Sequence, residues 1–174
     1  MSFLKRILIG VLLFSSLFSE GVFQVQGVYD LDGDGLREAL VLNGTQSSAI
    51  WIEISGSTVG DTLWQYHLPS QGMFNDAEVT DIDGDGHIDV IAVAALFPGI
   101  KVDQNWLYVF LGHESGFSRE PLTLGHQSLD LGTVRPSNLA LIAGDSPQLV
   151  VAFGTPVREA MLFDLSFPDE TISL

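Results

Sequence analysis

Past residue 22 the chain alternates short apolar runs with polar breaks. The runs are rich in Val, Ile and aromatics: Ala39-Leu40-Val41-Leu42, Ile50-Trp51-Ile52-Glu53-Ile54, Val90-Ile91-Ala92-Val93, Trp106-Leu107-Tyr108-Val109-Phe110, Leu149-Val150-Val151-Ala152 and Ala160-Met161-Leu162-Phe163. Gly, Asn, Asp and Pro separate them, as at Asn43-Gly44, Ser55-Gly56, Phe97-Pro98-Gly99 and Gly112-His113, each read as a turn. No stretch after residue 22 sustains a helical period. The pattern predicts antiparallel strands joined by turns, an all-β chain.

The runs recur in order. Tyr29-Asp-Leu-Asp-Gly-Asp-Gly-Leu-Arg-Glu-Ala-Leu-Val-Leu42 is matched by Thr80-Asp-Ile-Asp-Gly-Asp-Gly-His-Ile-Asp-Val-Ile-Ala-Val93, 51 residues later. A third copy keeps the strands but not the acids: Gly144-Asp145-Ser146 stands where the acidic loop would be, ahead of Leu149–Ala152. Three units follow, near residues 24–76, 77–133 and 134–174. A repeat of about 50 residues with about four strands is that of a β-propeller blade. Propellers close with about four to eight blades, so three blades predict an incomplete arc. Such an arc calls for a longer product of which this chain is a fragment, for self-association or a further chain to complete the ring, or for capped ends.

The first residues differ. Lys5 and Arg6 precede the apolar run Ile7–Phe18, and small residues follow at Ser19 and Gly21. A run of about 12 residues suits a signal-peptide core and is too short to span a bilayer. The sequence thus divides into a signal peptide at 1–21 and a repeat domain at 22–174. Export to the cell surface, the medium or a periplasm is expected, with no stable membrane span once the signal is removed.

Charge narrows the function. The chain has 22 acidic and 7 basic residues, a net charge of −15, and no cysteine. Nucleic acid is excluded as a partner because backbone binding needs a basic surface. Disulfides, thiolate metal sites and thiol catalysis are excluded too. The acids concentrate in the two matched loops. Side-chain oxygens fall at positions 1, 3, 5 and 9: Asp30, Asp32, Asp34 and Glu38, then Asp81, Asp83, Asp85 and Asp89. Position 6 is glycine in both, Gly35 and Gly86, and position 7 offers the backbone carbonyl of Leu36 or His87. Two carboxylates about 4 Å apart repel by about 4 kcal/mol at an effective dielectric near 20, so such a loop asks for a cation. A donor set of oxygens alone favours Ca2+, with magnesium second. EF-hand and dockerin loops share the spacing but need an acid at position 12, where this chain has Val41 and Ala92. Strand-forming residues also follow where those families continue into a helix.

The loops resemble the Asp-x-Asp-Gly-Asp-Gly-x-x-Asp motif of FG-GAP repeats, also called VCBS-type repeats, of integrin alpha-chain propellers and many bacterial surface proteins. The second loop fits at each fixed position; the first has Glu38 in place of the last Asp. The resemblance implies propeller blades, calcium that rigidifies the loop between neighbouring strands, and a role in adhesion, ligand recognition or scaffolding.

Catalytic patterns are weak. His67, His87, His113 and His126 lack metalloprotease spacing, and there is no Gly-x-Ser-x-Gly elbow. Asp76 and Glu78 would need a cleft to act as a glycosidase pair. Trp51 and Trp106 sit at equivalent places in two repeats and read as core between blades, while Trp64 lies among polar neighbours. Asn43-Gly44-Thr45 is a glycosylation sequon and also a hairpin turn. The reading is a non-enzymatic, calcium-binding repeat module with a protein or glycan ligand. The alternatives are an accessory or catalytic domain of a carbohydrate-active enzyme, or a structural spacer.

Overall fold

A computed structural model describes residues 23–30, 34–69, 72–96, 105–114, 116–125, 135–142, 147–154, 159–167 and 172. The expected signal peptide, Asp32, His126, the Phe97-Pro98-Gly99 turn and the Gly144-Asp145-Ser146 loop lie outside them. No helix among the described residues is long and apolar enough to cross a membrane.

The described chain is all-β, in antiparallel sheets of which none closes on itself. Sheet I holds β1 (Phe23–Tyr29), β2 (Arg37–Asn43), β3 (Ser48–Ser55) and β4 (Thr58–His67) in sequence order. Sheet II is built from β5 (Gly72–Thr80), β6 (Asp89–Leu96), β7 (Asn105–Phe110) and β10 (Leu122–Gly125), again as a meander. Between β7 and β10 a small hairpin projects, β8 (Gly112–His113) with β9 (Gly116–Phe117). Sheet III comprises β11 (Pro136–Ile142), β12 (Gln148–Phe153) and β13 (Ala160–Asp164). Each sheet is one blade of an incomplete propeller. Two local expectations change. Gly112-His113 is not a turn but a strand, because its backbone pairs with Gly116 and Phe117. The strand β5 crosses the expected 76/77 boundary and lies wholly in sheet II.

The sheets pack face to face through two apolar layers. Strand residues point alternately to opposite faces, so the repeat fixes which residue serves which layer. Leu40, Leu42, Ala49 and Trp51 form the forward face of sheet I. They meet the rear face of sheet II, made by Phe74, Ala77, Val90, Ala92, Ala94, Tyr108 and Phe110. The forward face of sheet II, with Ile91, Val93, Leu107 and Val109, meets Leu139, Leu149, Val151 and Phe153 on the rear of sheet III. Leu40 and Leu42 of sheet I are the 51-residue equivalents of Ile91 and Val93 of sheet II. The same joint is therefore made twice.

Trp51 is 2% exposed in the first layer and Trp106 fully buried in the second, so both are core as expected, but their places are not equivalent: Trp51 pairs with Leu40, whose repeat counterpart Ile91 pairs with Val109. Trp64 also turns inward, its ring edge-on to Phe110 at 4.8 Å and Phe117 at 5.5 Å.

The innermost strands β1, β5 and β11 lie side by side at the narrow edge of the arc. Each carries a bulge, between Val25 and Val28, Phe74 and Asp76, and Pro136 and Asn138. A bulge bends its strand and re-aims the neighbouring side chains. Here it turns Asp76 toward both neighbouring sheets. Asp76 Oδ1 accepts from Gln26 Nε2 of β1 (3.0 Å), and Oδ2 accepts from the Leu139 backbone N–H of β11 (3.0 Å) and from Asn138 Nδ2 (3.4 Å). One carboxylate thus joins three blades, a role that its reading beside Glu78 as a catalytic pair does not contain.

Asn43 is buried, and its side chain is spent on the turn. Its Oδ1 accepts from the N–H groups of Thr45 and Gln46, and its Nδ2 donates to Gln46 Oε1, each at 3.1 Å. Of the two readings of Asn43-Gly44-Thr45, this is the hairpin turn.

Candidate metal centre

The two acidic loops link equivalent strands, β1 to β2 and β5 to β6. Their register closes the same way: Tyr29 pairs with Glu38, and Thr80 with Asp89. Both loops consequently lie at the same end of their blades.

The second loop is a turn wound around its own carboxylates. Asp81 Oδ1 accepts from the Gly84 N–H (2.7 Å) and Oδ2 from the Gly86 N–H (3.0 Å). Asp83 Oδ1 accepts from the Asp85 N–H (3.1 Å), and Asp85 Oδ1 from the His87 N–H (2.8 Å). Gly84 and Gly86 have φ of 80° and 91°, and Gly35 of the first loop has 85°. L side chains rarely adopt that region, so the glycine at position 6 is a backbone requirement in both loops. Ile82, 6% exposed, anchors the loop in the layer between sheets II and III.

Asp89 differs from the other acids because it is 1% exposed. Its Oδ2 accepts from the Ile82 N–H (2.8 Å), which closes the loop, and its Oδ1 from the Gly112 N–H (2.7 Å), which ties the loop to β8. The approach at Gly112 is so close that a Cβ there would collide with the Ile88 carbonyl. Burial pushes the Asp89 carboxyl above its ordinary value; the two backbone hydrogen bonds oppose this, and the charges of Asp83 and Asp85 add to it.

Carboxylate oxygens of Asp81, Asp83 and Asp89 lie within 4.8 Å of one another. Calcium binds oxygens at about 2.3–2.6 Å, so two ligands of one ion can be at most about 5 Å apart. The three oxygens meet that limit, and the all-oxygen donor set suits a hard cation. Asp85 is exposed, outside this trio, with one oxygen engaged by the His87 N–H.

In the first loop, Asp30 and Asp34 are exposed, Leu36 is half-buried and Glu38 is 3% exposed. Asp34 Oδ1 accepts from the Leu36 N–H at 2.6 Å, the counterpart of the Asp85 bond to His87. With Asp32 outside the described residues, the geometry of this ligand set is left to the repeat. The Gly112 tie was not legible in the spacing, since its partners are 23 residues apart on different strands.

A family model described as FG-GAP-like repeat matches residues 30–92, a span that takes in both acidic loops. No curated protein and no solved structure matches the chain.

Proposed function

We propose, from the premise that residues 30–92 are an FG-GAP-type repeat, that this protein is an exported binding module whose loops are held by calcium. FG-GAP-like repeats are a non-catalytic repeat type, often bind calcium and are typically extracellular. The observation that carries the reading is the meeting of Asp81, Asp83 and Asp89 at single-ion spacing, with Asp89 buried. A buried carboxylate beside two others is costly unless a positive charge compensates it.

Asp81, Asp83 and Asp89 would hold the ion in the second loop, with Asp85 and the His87 carbonyl completing the set. Asp30, Asp32, Asp34, Glu38 and the Leu36 carbonyl would do so in the first. The ion would supply charge compensation and stiffness. The chain's own residues do the rest: Ile82 anchors the loop, Asp89 fixes its exit and Gly112 passes its position to β8. Two stiffened loops at one end of neighbouring blades form a preorganised rim for a protein or glycan ligand.

The test is calcium titration calorimetry with thermal unfolding, first in excess EDTA and then in calcium. Calcium at about 100 times its dissociation constant stabilises by about 2.7 kcal/mol per site. Two sites are expected, one lost in Asp32→Ala and the other in Asp83→Ala. Absence of binding and of any thermal shift would reduce both loops to solvated turns.

A further inference from the structure

We propose that the N-terminal apolar run Ile7–Phe18 of this chain lies across the rear face of sheet I and caps its two central strands. Ala39 and Val41 of β2 and Ile52 of β3 alternate with Leu40, Leu42 and Trp51, so they face away from sheet II. They are nevertheless 1%, 4% and 6% exposed. Among the described residues, the cluster they form draws only on Phe23, Ile50 and Ile54, all of sheet I. Neighbours in one sheet stand beside a side chain, about 4.8 Å away, and shelter its flanks but not its outer end. A cap from outside sheet I therefore covers these three.

The pattern of exposure measures the width of the cap. The rear face of sheet II lies under a whole sheet, and there the inner strand is covered with the central one. Ala77 of β5 is 3% exposed, and its partner Ala92 of β6 is buried. The same places on sheet I are held by Val25 and its partner Val41, which stands 51 residues before Ala92. Val41 is buried as Ala92 is, but Val25 is 50% exposed where Ala77 is covered. Val28 of β1 and Val59 of β4 are exposed as well. Another sheet would cover these flanking strands. A single run of chain, about 10–12 Å across even if helical, covers β2 and β3 and leaves β1 and β4 open.

Position, hydropathy and charge select residues 1–22 as the occupant. They are the longest stretch outside the described residues and join sheet I at Phe23. Phe23 itself packs on the cluster, so the preceding chain leaves from this face. Ile7–Phe18 is apolar except for Gly10, Ser15 and Ser16, and burying such a run removes a large apolar area from water. Lys5 and Arg6 at its head are two of only seven basic residues in a chain of net charge −15, which draws the segment toward the acidic body. The same segment is the one expected to direct export. A chain that keeps it carries its own cap; processing near residue 21 removes the cap and leaves Ala39, Val41 and Ile52 as an apolar stripe at the surface.

Methyl NMR of the full chain, made without export so that residue 1 is retained, reads the contact. Nuclear Overhauser effects are expected from the Val41 and Ile52 methyl groups to those of Ile7–Leu13. Leu12→Asp should abolish them and shift the Val41 and Ile52 signals, while those of Val93 and Val151, buried between sheets II and III, stay in place. Because the chain has no cysteine, one pair can be introduced cleanly. Leu13→Cys with Val25→Cys, at the margin of the face, should be joined by a short bismaleimide within one chain at any dilution. Leu13→Cys with Leu162→Cys, exposed in sheet III, should not. If a variant misfolds, the wild-type contacts decide. Their absence, their appearance only between labelled and unlabelled chains in a mixture, or equal cross-linking to position 162 would each overturn the cap.

Discussion

At the scale of single residues, Asp89 is the acid that the rest of the loop serves. It is the ninth residue of its loop and the first of its strand, so its side chain enters the layer behind the loop and not the solvent before it. Its carboxyl sits above the ordinary value mainly through burial, and that of Glu78 is raised too, by burial and then by Asp76. A folded-state value above the unfolded one means that the folded chain holds protons more tightly. Metal-free protein should therefore gain stability as pH falls from the raised values toward the ordinary carboxylate range, and lose it as pH rises through them. Calcium and protons compete for the same oxygens, so the calcium-induced rise in melting temperature should shrink over that window. Melting curves in EDTA and in calcium, taken stepwise from neutral to mildly acidic pH, should converge. Parallel curves would separate Asp89 from ion binding.

At the scale of elements, the strands were legible and their irregularities were not. Continuous apolar runs such as Val90–Val93 mark a strand covered on both faces, and β6 lies between two apolar layers. The glycines of the acidic loops announced a sharp turn, and their φ values bear this out. The bulges of β1, β5 and β11 left no such mark, because a bulge is defined by a partner strand that alternation along one strand does not reveal. Asp76 was equally hidden, since its partners Gln26 and Leu139 are 50 and 63 residues away. Replacing Asp76 by Ala removes an acceptor from Gln26, Asn138 and the Leu139 N–H at once. A loss of about 1–3 kcal/mol is expected from the unsatisfied groups, read as a lower midpoint in urea, with faster hydrogen exchange at Leu139. A change confined to the surface would leave both untouched.

For the molecule as a whole, the repeat supplied more than any single motif. Two acidic loops 51 residues apart fixed the blade length and which face of each sheet meets the next. What it left open was the fate of the two end faces, because pairing between blades is a property of the arc and not of the unit. The hairpin β8–β9 adds a connection that crosses units. It begins at Gly112, held by Asp89 beside the second loop, and ends at Phe117, whose ring meets Trp51 of sheet I edge-on at 5.1 Å. Tyr29 stacks on that same indole at 5.7 Å.

That chain of contacts gives the protein a built-in optical reporter. Two indoles, Trp51 and Trp64, both touch Phe117, and Phe117 stands at the far end of the hairpin that the second loop positions. Filling that loop should tighten the aromatic box and shift the emission of its tryptophans to shorter wavelength, with no label attached. Replacing Phe117 by Ala should leave the calorimetric heat of calcium binding in place and silence the colour change. A shift that persists in that variant would mean that the light comes from elsewhere in the arc.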